Sequence, residues 1–252
     1  MNSGAAHLQA IRAEELKAVF EHMPAPPLHI LEIGGGDGYQ ASLLSASGFE
    51  VESVDIASDA LEPFFDVKIY DGRTLPFGAR EFDCVFSSNV LEHVRDLEAI
   101  NGEIRRVLKP DGMAIHVLPS SAWRFWTSIA HYPYILKVLL SGTRSIPTYA
   151  RLPTAGEALK QRGVVRRVAR ALFPQPHGEY ASSLTELYTY SKGRWTRVFS
   201  KYGFDVVAAR PTGVFGTGYG LLVGPLPIAA RRRLAGVLGS AAHVFVLRAR
   251  AV

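Results

Sequence analysis

The sequence predicts an α/β fold, a doubly wound sheet of parallel strands flanked by helices. Short apolar runs alternate with amphipathic stretches through residues 1–120, as they do in sheets of this kind. The first apolar run, LHILEI at residues 28–33, leads directly into the glycine-rich stretch GGGDG at residues 34–38. The chain has 252 residues, of which 48% are hydrophobic and 20% are charged, and this composition is typical of one large folded domain.

The elements of the first half follow from hydrophobic periodicity and from turn residues. A helix over residues 7–22 precedes the sheet, and helices over 40–48 and 95–109 lie between strands. The first of these two ends at Gly48 and the second at the Pro-Asp-Gly of residues 110–112, because proline and glycine interrupt helices. The predicted strands cover residues 28–33, 49–56, 66–70, 83–90 and 113–119.

The regular alternation stops after residue 120. Residues 121–185 are first aromatic and apolar and then strongly basic, with an amphipathic helix predicted over residues 157–173. Regular structure resumes with a helix over 192–203 and strands over 204–210 and 243–251. We therefore divide a single domain, residues 1–252, into three parts: a first half (1–120), a helical and aromatic cap (121–185) and a closing part (186–252).

Charge is distributed unevenly along the chain. Residues 1–120 contain 9 Lys and Arg against 19 Asp and Glu, whereas residues 121–252 contain 19 basic and 4 acidic residues. This asymmetry indicates either a basic surface that meets an anionic partner, such as phosphates or an anionic membrane, or attraction between the two parts. The arginines of the 157–173 helix and the run at 231–233 are the candidates for that surface. Nucleic acid is not an expected partner, since no nucleic-acid-binding motif accompanies the charge.

Cysteine content and hydropathy indicate the cellular location. Cys84 is the only cysteine, so the chain has no internal disulfide and no cysteine cluster for zinc, and we predict no metal site. The first 20 residues carry charges throughout, unlike a signal peptide, and no apolar run reaches the roughly 18–20 residues of a membrane-spanning helix. We therefore expect a cytoplasmic protein, with any membrane contact being peripheral and at the inner face.

The glycine spacing narrows the choice of ligand. Gly34, Gly36 and Gly38 leave the main chain bare at the end of the first strand, where glycine permits a tight turn and close approach of a ligand. The dinucleotide pattern G-x-G-x-x-G is not met because Tyr39 occupies its third glycine position. The P-loop pattern is not met because Tyr-Gln follows Gly38 instead of Lys-Ser or Lys-Thr. Asp55 ends the second strand, where a carboxylate can accept both hydroxyls of a ribose.

Two long stretches of the first half resemble a known family. ILEIGGGDGYQASLLSASGFEVESVDIAS (30–58) and YDGRTLPFGAREFDCVFSSNVLEHVRDLEAINGEIRRVLKPDGMAIHVLP (70–119) resemble the core of class I S-adenosylmethionine-dependent methyltransferases of the methyltransferase type 11 family. The resemblance implies a Rossmann-like seven-stranded sheet, with the cap inserted between strands 5 and 6. It also implies that the first half is the cofactor-binding half, with S-adenosylmethionine as the cofactor.

The resemblance further implies which residues contact the cofactor. They lie at the carboxyl ends of the strands, where ligands bind in open α/β sheets: Glu32, Gly34, Gly36, Gly38, Asp55, Ile56, Asp71, Gly72, Ser88 and Asn89. Alternatively, Glu32 and Asp55 are solvated loop acids and Asp71 only caps a turn with Gly72. Ser88 and Asn89 alternatively only end the strand and cap the next helix.

Methyl transfer to a hydroxyl requires alignment of the reactants and a group that takes the proton. The candidate bases are His93, in NVLEHV, and His177 and Glu179, in PQPHGEY. The alternative for His93 is a structural role, and the alternative for the other two is a polar loop without chemistry. The aromatic candidates for an acceptor pocket, which alternatively pack the cap onto the sheet, are Trp123, Trp126, Tyr132 and Tyr134. Tyr180 is a further candidate for contact with the acceptor, and its alternative is also a polar loop without chemistry.

The expected acceptor is a hydroxyl of a small molecule or glycan, including a sugar linked to a lipid or nucleotide. The stretch HGEY…TELY (177–188) favours this reading because it resembles methyltransferases of surface-polysaccharide synthesis. Carbon or nitrogen methylation of a quinone-like or natural-product acceptor is the alternative within enzymes. A non-catalytic, cofactor-binding scaffold is the alternative of another class. The sequence does not predict the oligomeric state.

Overall fold

The computed structural model describes residues 3–57, 62–141, 174–179, 182–218 and 226–250. A seven-stranded sheet of order β3-β2-β1-β4-β5-β7-β6 forms its centre. The strands are β1 (His29–Ile33), β2 (Glu50–Asp55), β3 (Lys68–Ile69), β4 (Phe82–Ser88), β5 (Leu108–Pro119), β6 (Phe204–Pro211) and β7 (Ala242–Ala249).

Seven helices and one 3-10 turn connect these strands in the described part of the chain. They are α1 (Ser3–Phe20), α2 (Tyr39–Ala46), the 3-10 turn (Leu91–His93), α3 (Leu97–Val107), α4 (Ser121–Ser141), α5 (Ser183–Thr189), α6 (Lys192–Lys201) and α7 (Ile228–Leu238). α3 shows why such segments fold as helices. Asp96 caps it by accepting a hydrogen bond from the Ala99 amide at 2.9 Å, and Ile100, Ile104 and Val107 form one buried face.

The predicted doubly wound, seven-stranded sheet is confirmed, and its first five strands are parallel. β7 differs, because it lies between β5 and β6 and is antiparallel to both. The chain leaves β6 and enters β7 at the same edge of the sheet, where Pro211 pairs with His243, so the direction reverses. The helix predicted to end at the Pro-Asp-Gly of residues 110–112 ends earlier, at Val107, and these three residues lie within β5, at a register irregularity opposite β4.

The apolar core lies on both faces of the sheet. On one face, Ile100 and Ile104 of α3 and Trp195 and Phe199 of α6 pack against the strands. The other face is covered by α1 and α2, through Leu16, Val19 and Leu44. Helices on both faces leave the carboxyl ends of β1 to β5 as the open edge, which is where ligands bind in sheets of this kind.

The cap is described only in part. α4 follows β5 directly, whereas the predicted basic helix of residues 157–173, with its arginines, lies outside the described residues. No helix in the described ranges is long and apolar enough to cross a membrane.

The arginines of the run at 231–233 do not all face solvent as one basic surface. Arg231 is buried and donates hydrogen bonds to the carbonyls of Leu226 and Phe215, whereas Arg232 pairs with Glu14 of α1. Arg232–Glu14 is one ion pair that joins the basic and acidic parts of the chain. A second joins Arg95 to Glu179 at 2.6 Å. Of these two pairs, only Arg232–Glu14 joins a cation of the basic part to an anion of the acidic part, and the partner of the remaining basic residues stays a prediction.

Candidate cofactor and acceptor site

The glycine loop turns sharply at the end of β1. Gly34, Gly36 and Gly38 have φ values of 80°, 58° and 77°, a left-handed conformation that glycine adopts without strain. A side chain at Gly34 would also meet Val90, since its Cβ would lie 2.2 Å from Val90 Cγ2. The amides of Gly34 and Gly35 donate to the Val54 carbonyl at 2.7 and 3.1 Å. The loop is therefore held tightly between the ends of β2 and β4.

Asp55 fixes the far side of this loop. Its Oδ2 accepts a hydrogen bond from the Gly36 amide at 2.8 Å, and its Oδ1 accepts one from the Ile56 amide at 2.6 Å. Each carboxylate oxygen has about two lone pairs, so both can still accept a hydroxyl. Ile56 is 66% exposed and lies beside Gly72, where a Cβ would come within 3.0 Å of its side chain.

Glu32 lies beneath the loop and is only 2% exposed. Its Oε2 accepts a hydrogen bond from Ser53 Oγ at 2.7 Å, directly below Gly35. Burial raises the pKa of Glu32 to about 7; the Ser53 hydrogen bond opposes this, and the charges of Asp37 and Asp55 add to it. Glu32 is thus a buried support of the loop and not a solvated acid.

Asp71 forms a turn at the end of β3. Its Oδ1 accepts hydrogen bonds from the Arg73 and Thr74 amides, both at 2.8 Å, and these bonds lower the pKa of Asp71. The turn-capping alternative is therefore present in the structure. A contact between Asp71 or Gly72 and a cofactor stays a prediction.

Ser88 and Asn89 lie where β4 ends. Asn89 has a φ of 56°, its amide donates to the Val117 carbonyl at 2.8 Å, and its Nδ2 donates to Ser88 Oγ at 3.1 Å. Asparagine tolerates this left-handed conformation better than most residues. The turn directs the chain from the sheet edge into the Leu91–His93 turn.

A cavity of about 190 Å³ lies over the glycine loop. Helix α1 forms its opposite wall, and the lining residues are Leu8, Gln9, Arg12, Gly34, Gly35, Gly36, Asp37, Tyr39, Gln40 and Ser88. A second cavity of about 360 Å³ includes Pro24, Asp83 and Lys109, at the amino end of β4 and away from the glycine loop. The first cavity is at the edge where α/β sheets bind ligands, so we take it as the cofactor site.

Arg12 is a residue of this cavity that the sequence analysis missed. Its Nη1 donates to Ser88 Oγ at 3.0 Å and to Glu15 Oε2 at 2.8 Å. It brings a cation to a cavity whose other charged lining residue is Asp37. No sequence motif marks it, because α1 reaches the loop only through the packing of Leu16 and Val19 on the sheet.

His93 and His177 come together beyond the end of β4, and we call this cluster the acceptor end of the site because it contains the predicted candidate bases. Their ring centroids are 4.9 Å apart, and the Trp123 ring lies 4.8 Å from that of His177. Glu179, the third candidate base, pairs with Arg95 at 2.6 Å, and its amide donates to the Glu92 carbonyl at 3.1 Å. The predicted candidate bases, separated by more than 80 residues in sequence, therefore lie in one cluster.

A buried ion pair anchors the loop that carries His177. Glu186 Oε1 accepts hydrogen bonds from the His177 and Gly178 amides at 2.6 and 2.7 Å. Glu186 Oε2 pairs with Arg124 Nη1 at 3.1 Å, and both side chains are almost fully buried. The sequence analysis missed Arg124 and Glu186, because only the tertiary fold brings α4, α5 and residues 177–178 together.

The protein environment shifts the pKa values of this cluster. Loss of water around the ring, and then the charges of His93, Arg124 and Arg12, lower the pKa of His177 to about 4. Burial also lowers the pKa of His93, against the opposing effect of Glu179. Burial raises the pKa of Glu92 to about 8. Arg12 acts on both Glu92 and His177, so the acceptor cluster adjoins the cofactor cavity.

The predicted aromatic residues are not all at this cluster. Trp126 Nε1 donates to the Leu238 carbonyl at 2.9 Å, and its ring packs against Phe125 and Phe215. Its contacts match the packing alternative, whereas Trp123 borders the cluster. Tyr180 lies outside the described residues.

The strand order with an antiparallel β7, a glycine loop after β1 and an acid after β2 together define the class I methyltransferase fold. Solved structures with this fold agree. A methyltransferase from Mesorhizobium loti, described as S-adenosylmethionine dependent, matches with a TM-score of 0.53 at 15% identity, over 93% of this chain and 97% of that one. A SAM-dependent methyltransferase from Methanosarcina mazei matches with a TM-score of 0.52 at 14% identity, over 93% and 98%.

Sequence comparison shows the family. A family model described as a methyltransferase domain matches residues 5–209, so the chain belongs to this family. An uncharacterised methyltransferase from Mycobacterium sp. (strain KMS) is 31% identical over 133 residues, covering 48% of this chain and 49% of the relative. A ubiquinone biosynthesis O-methyltransferase from Bartonella tribocorum is 26% identical over 140 residues, covering 51% and 57%. The chain thus spans about half the length of the curated relatives it matches.

The predicted family and fold are therefore confirmed: the chain belongs to the methyltransferase-domain family and has the class I methyltransferase fold, and S-adenosylmethionine stays its predicted cofactor. The cavity fits that cofactor by its chemistry. Asp37 in the lining and Asp55 at the loop suit a ligand with an ammonium and a sulfonium, and Arg12 suits its carboxylate. The open main chain at Gly36, where a Cβ would meet nothing within 4 Å, leaves room for it.

Proposed function

We propose that this methyltransferase methylates a hydroxyl oxygen of a small-molecule or glycan acceptor. The observation that carries the proposal is the His93–His177 pair with its ring centroids 4.9 Å apart, next to the cofactor cavity at the end of β4. A hydroxyl needs to lose its proton during methyl transfer, so O-methylation benefits from such groups.

The residues of the cofactor end hold and align the donor. Asp55 offers two carboxylate oxygens at the loop, Ile56 offers an exposed apolar side chain, and Arg12 offers a guanidinium. When bound, S-adenosylmethionine supplies an electrophilic methyl group and a sulfur that keeps the electron pair of the broken C–S bond. The main contribution of the protein is alignment of the two reactants and exclusion of water.

The residues of the acceptor end manage the proton. The rings of His93 and His177 are in edge-to-face contact, and Glu179 lies beside them, held by Arg95. In this proposal the hydroxyl proton moves to this cluster as the oxygen forms its bond to the methyl carbon. Trp123, in contact with His177, forms part of the acceptor pocket.

The named relatives support oxygen as the methylated atom. Two of them, from Bartonella tribocorum and Bartonella bacilliformis, are ubiquinone biosynthesis O-methyltransferases at 26% and 24% identity. Their names favour methylation of oxygen on a small molecule of quinone synthesis over a glycan for this chain, and they leave methylation of carbon or nitrogen as the weaker alternative.

The test combines binding and turnover. Calorimetric titration with S-adenosylmethionine and with its demethylated product should give one site per chain. Purified protein with labelled cofactor is then incubated with catechols, hydroxyquinones and glycans, and the product is analysed by mass spectrometry for methyl on oxygen. Methyl on carbon or nitrogen overturns the proposed chemistry. A second experiment offers the protein extracts from cells that lack it, since these contain the unmethylated acceptor. If the protein binds S-adenosylmethionine but methylates nothing in these extracts, the result favours a non-catalytic scaffold instead.

A further inference from the structure

The carboxylate of Glu92 is buried without a hydrogen-bond partner among the described residues. Glu92 is 1% exposed, and neither Oε1 nor Oε2 accepts a hydrogen bond from a described group. A carboxyl group withdrawn from water in this way is unfavourable unless a proton or a cation accompanies it. Glu92 plays no part in the chemistry proposed above, so its burial requires a separate explanation.

Two imidazoles stand beside this carboxylate. Nε2 of His93 lies 3.9 Å from Oε1 of Glu92, and the His93 and His177 rings are 4.9 Å apart. One ligand atom from each of the three residues lies within 4.8 Å of the other two. Both histidines reach solvent at the surface although neighbouring groups withdraw part of each ring from water, whereas Glu92 is buried, so the cluster is open on its histidine side.

The fold holds the three residues in this arrangement. Glu92 and His93 are consecutive in the Leu91–His93 turn, and the amide of Glu179 donates to the Glu92 carbonyl at 3.1 Å. Gly178 has no room for a side chain, because a Cβ would lie 2.5 Å from that same carbonyl oxygen. Glu186 accepts hydrogen bonds from the amides of the His177 loop. The site is therefore built by the backbone as well as by its side chains.

We propose that Glu92, His93 and His177 bind a divalent transition-metal ion. Imidazole ligands suit zinc, iron and similar ions, whereas calcium and magnesium prefer oxygen ligands only. Metal–ligand bonds of about 2.0–2.2 Å place ligand atoms about 3.0–3.4 Å apart, so small rotations of the exposed imidazoles close the site. The sequence analysis predicted no metal site, because it searched for a cluster of cysteines. Nothing in the sequence indicates that His177 lies next to Glu92 and His93.

This metal site deepens the proposed function and rests on it. Three protein ligands leave coordination positions open for an acceptor hydroxyl, as in catalytic metal sites. With the ion bound, His93 and His177 are ligands and no longer the proton acceptors. Coordination instead lowers the pKa of the hydroxyl, which releases its proton to solvent. The oxygen then forms its bond to the methyl carbon while the C–S bond breaks, and that electron pair stays on sulfur. The metal neither gains nor loses electrons.

The test is direct titration of the full chain after treatment with a chelator. Zn²⁺ and Mn²⁺ are titrated by calorimetry, and Co²⁺ is followed by its visible absorption bands. We expect one ion per chain, with affinity at least about 100-fold weaker in Glu92→Gln and in His177→Ala. His22→Ala, which changes a histidine outside the cluster, is the matched control and should bind the ion as the unchanged protein does. S-adenosylmethionine is titrated into every sample.

The results separate this inference from the proposed function. Absence of metal binding, or equal binding by Glu92→Gln and His177→Ala, overturns the metal site even where S-adenosylmethionine still binds. Loss of ion binding in both variants with unchanged cofactor affinity supports it, whatever acceptor is used. Failure of the unchanged chain to bind S-adenosylmethionine while it still binds the ion overturns the proposed function alone.

Discussion

The cofactor end and the acceptor end of the site are built in different ways. At the cofactor end, backbone amides of the glycine loop bond to the Val54 carbonyl and to Asp55, all within residues 34–56. At the acceptor end, side chains from the Leu91–His93 turn, from α4, from residues 177–179 and from α5 meet through tertiary packing. A short sequence motif therefore specifies the first end, whereas the second depends on distant segments and can change without disturbing the first.

Removing the anchor of the acceptor end should have the largest effect. Arg124→Met leaves the buried Glu186 carboxylate without its cation, and breaking a buried ion pair in this way costs about 3–5 kcal/mol of unfolding free energy. Urea denaturation measures that loss. Cofactor affinity of the folded variant, measured below the unfolding transition, should be unchanged because Arg124 lies outside the cofactor cavity.

A matched control for Arg124 is available on the surface. Arg197→Met removes an exposed guanidinium that contacts the Tyr188 hydroxyl at 2.9 Å, and the change in stability should stay within about 0.5 kcal/mol. If Arg124→Met and Arg197→Met have equal free energies of unfolding, the Arg124–Glu186 pair does not anchor the acceptor end. A parallel loss of cofactor affinity in Arg124→Met contradicts the separation of the two ends.

Glu32, the buried acid at the cofactor end, should make the free energy of unfolding depend on pH. The pKa of Glu32 is about 7 in the folded protein against 4.5 ordinarily, so the folded state holds this proton more tightly than the unfolded state does. The contribution of this bound proton to the free energy of unfolding is fully present below pH 4.5 and is lost as the pH rises through 7. The loss corresponds to roughly 3 kcal/mol. Glu32→Gln does not titrate, so its stability should fall less between pH 4.5 and 8.5.

Urea denaturation across this pH range measures the difference between the two proteins. Glu50→Gln changes an exposed carboxylate on the neighbouring strand β2 and should follow the unchanged protein. If the unchanged protein and Glu32→Gln lose stability in parallel from pH 4.5 to 8.5, then Glu32 is not the buried acid that the loop covers.

More of the fold than of the site could be predicted from the sequence. Strands β1 to β5 follow from local apolar runs, and the acids and glycines at their ends are the next residues along the chain. The direction of β7 could not be predicted, because its apolar run fits either orientation. Arg12 was missed since the face of α1 that meets the glycine loop is chosen by packing of Leu16 and Val19, not by a motif.

At the acceptor end, even less of the arrangement could be predicted from the sequence. His93 and His177 were predicted separately as candidate bases, and nothing in their local sequence indicates that they are neighbours. Glu92 gave no signal at all, because a glutamate in LEHV is indistinguishable from a solvated acid until its burial is known. Arg124 and Glu186 form a pair only in the tertiary structure. Long-range pairing is therefore the part that a single sequence does not specify.

Asp55 should matter most for cofactor affinity. Asp55→Ala removes the acceptor of the Gly36 and Ile56 amides and the carboxylate available to a ribose. Hydrogen bonds to a charged group contribute about 1.5–3 kcal/mol, so we expect cofactor affinity to fall about 100-fold in calorimetric titration. Asp66→Ala, at an exposed acid just before β3, is the control. An unchanged affinity in Asp55→Ala removes the basis for placing the cofactor at this loop.

The smallest effects should come from two glycines that share one conformation and differ in surroundings. Gly36 and Gly213 have φ values of 58° and 76°, and a Cβ at either would meet nothing within 4 Å. Alanine at each should therefore cost about 1–2 kcal/mol of stability, the strain of a left-handed backbone. Only Gly36 lines the cofactor cavity. We expect Gly36→Ala to weaken cofactor binding about 10-fold, since one methyl group displaces ligand contacts, and Gly213→Ala to leave it unchanged. Equal cofactor affinities with equal losses of stability would show that the open space above Gly36 is not where the cofactor lies.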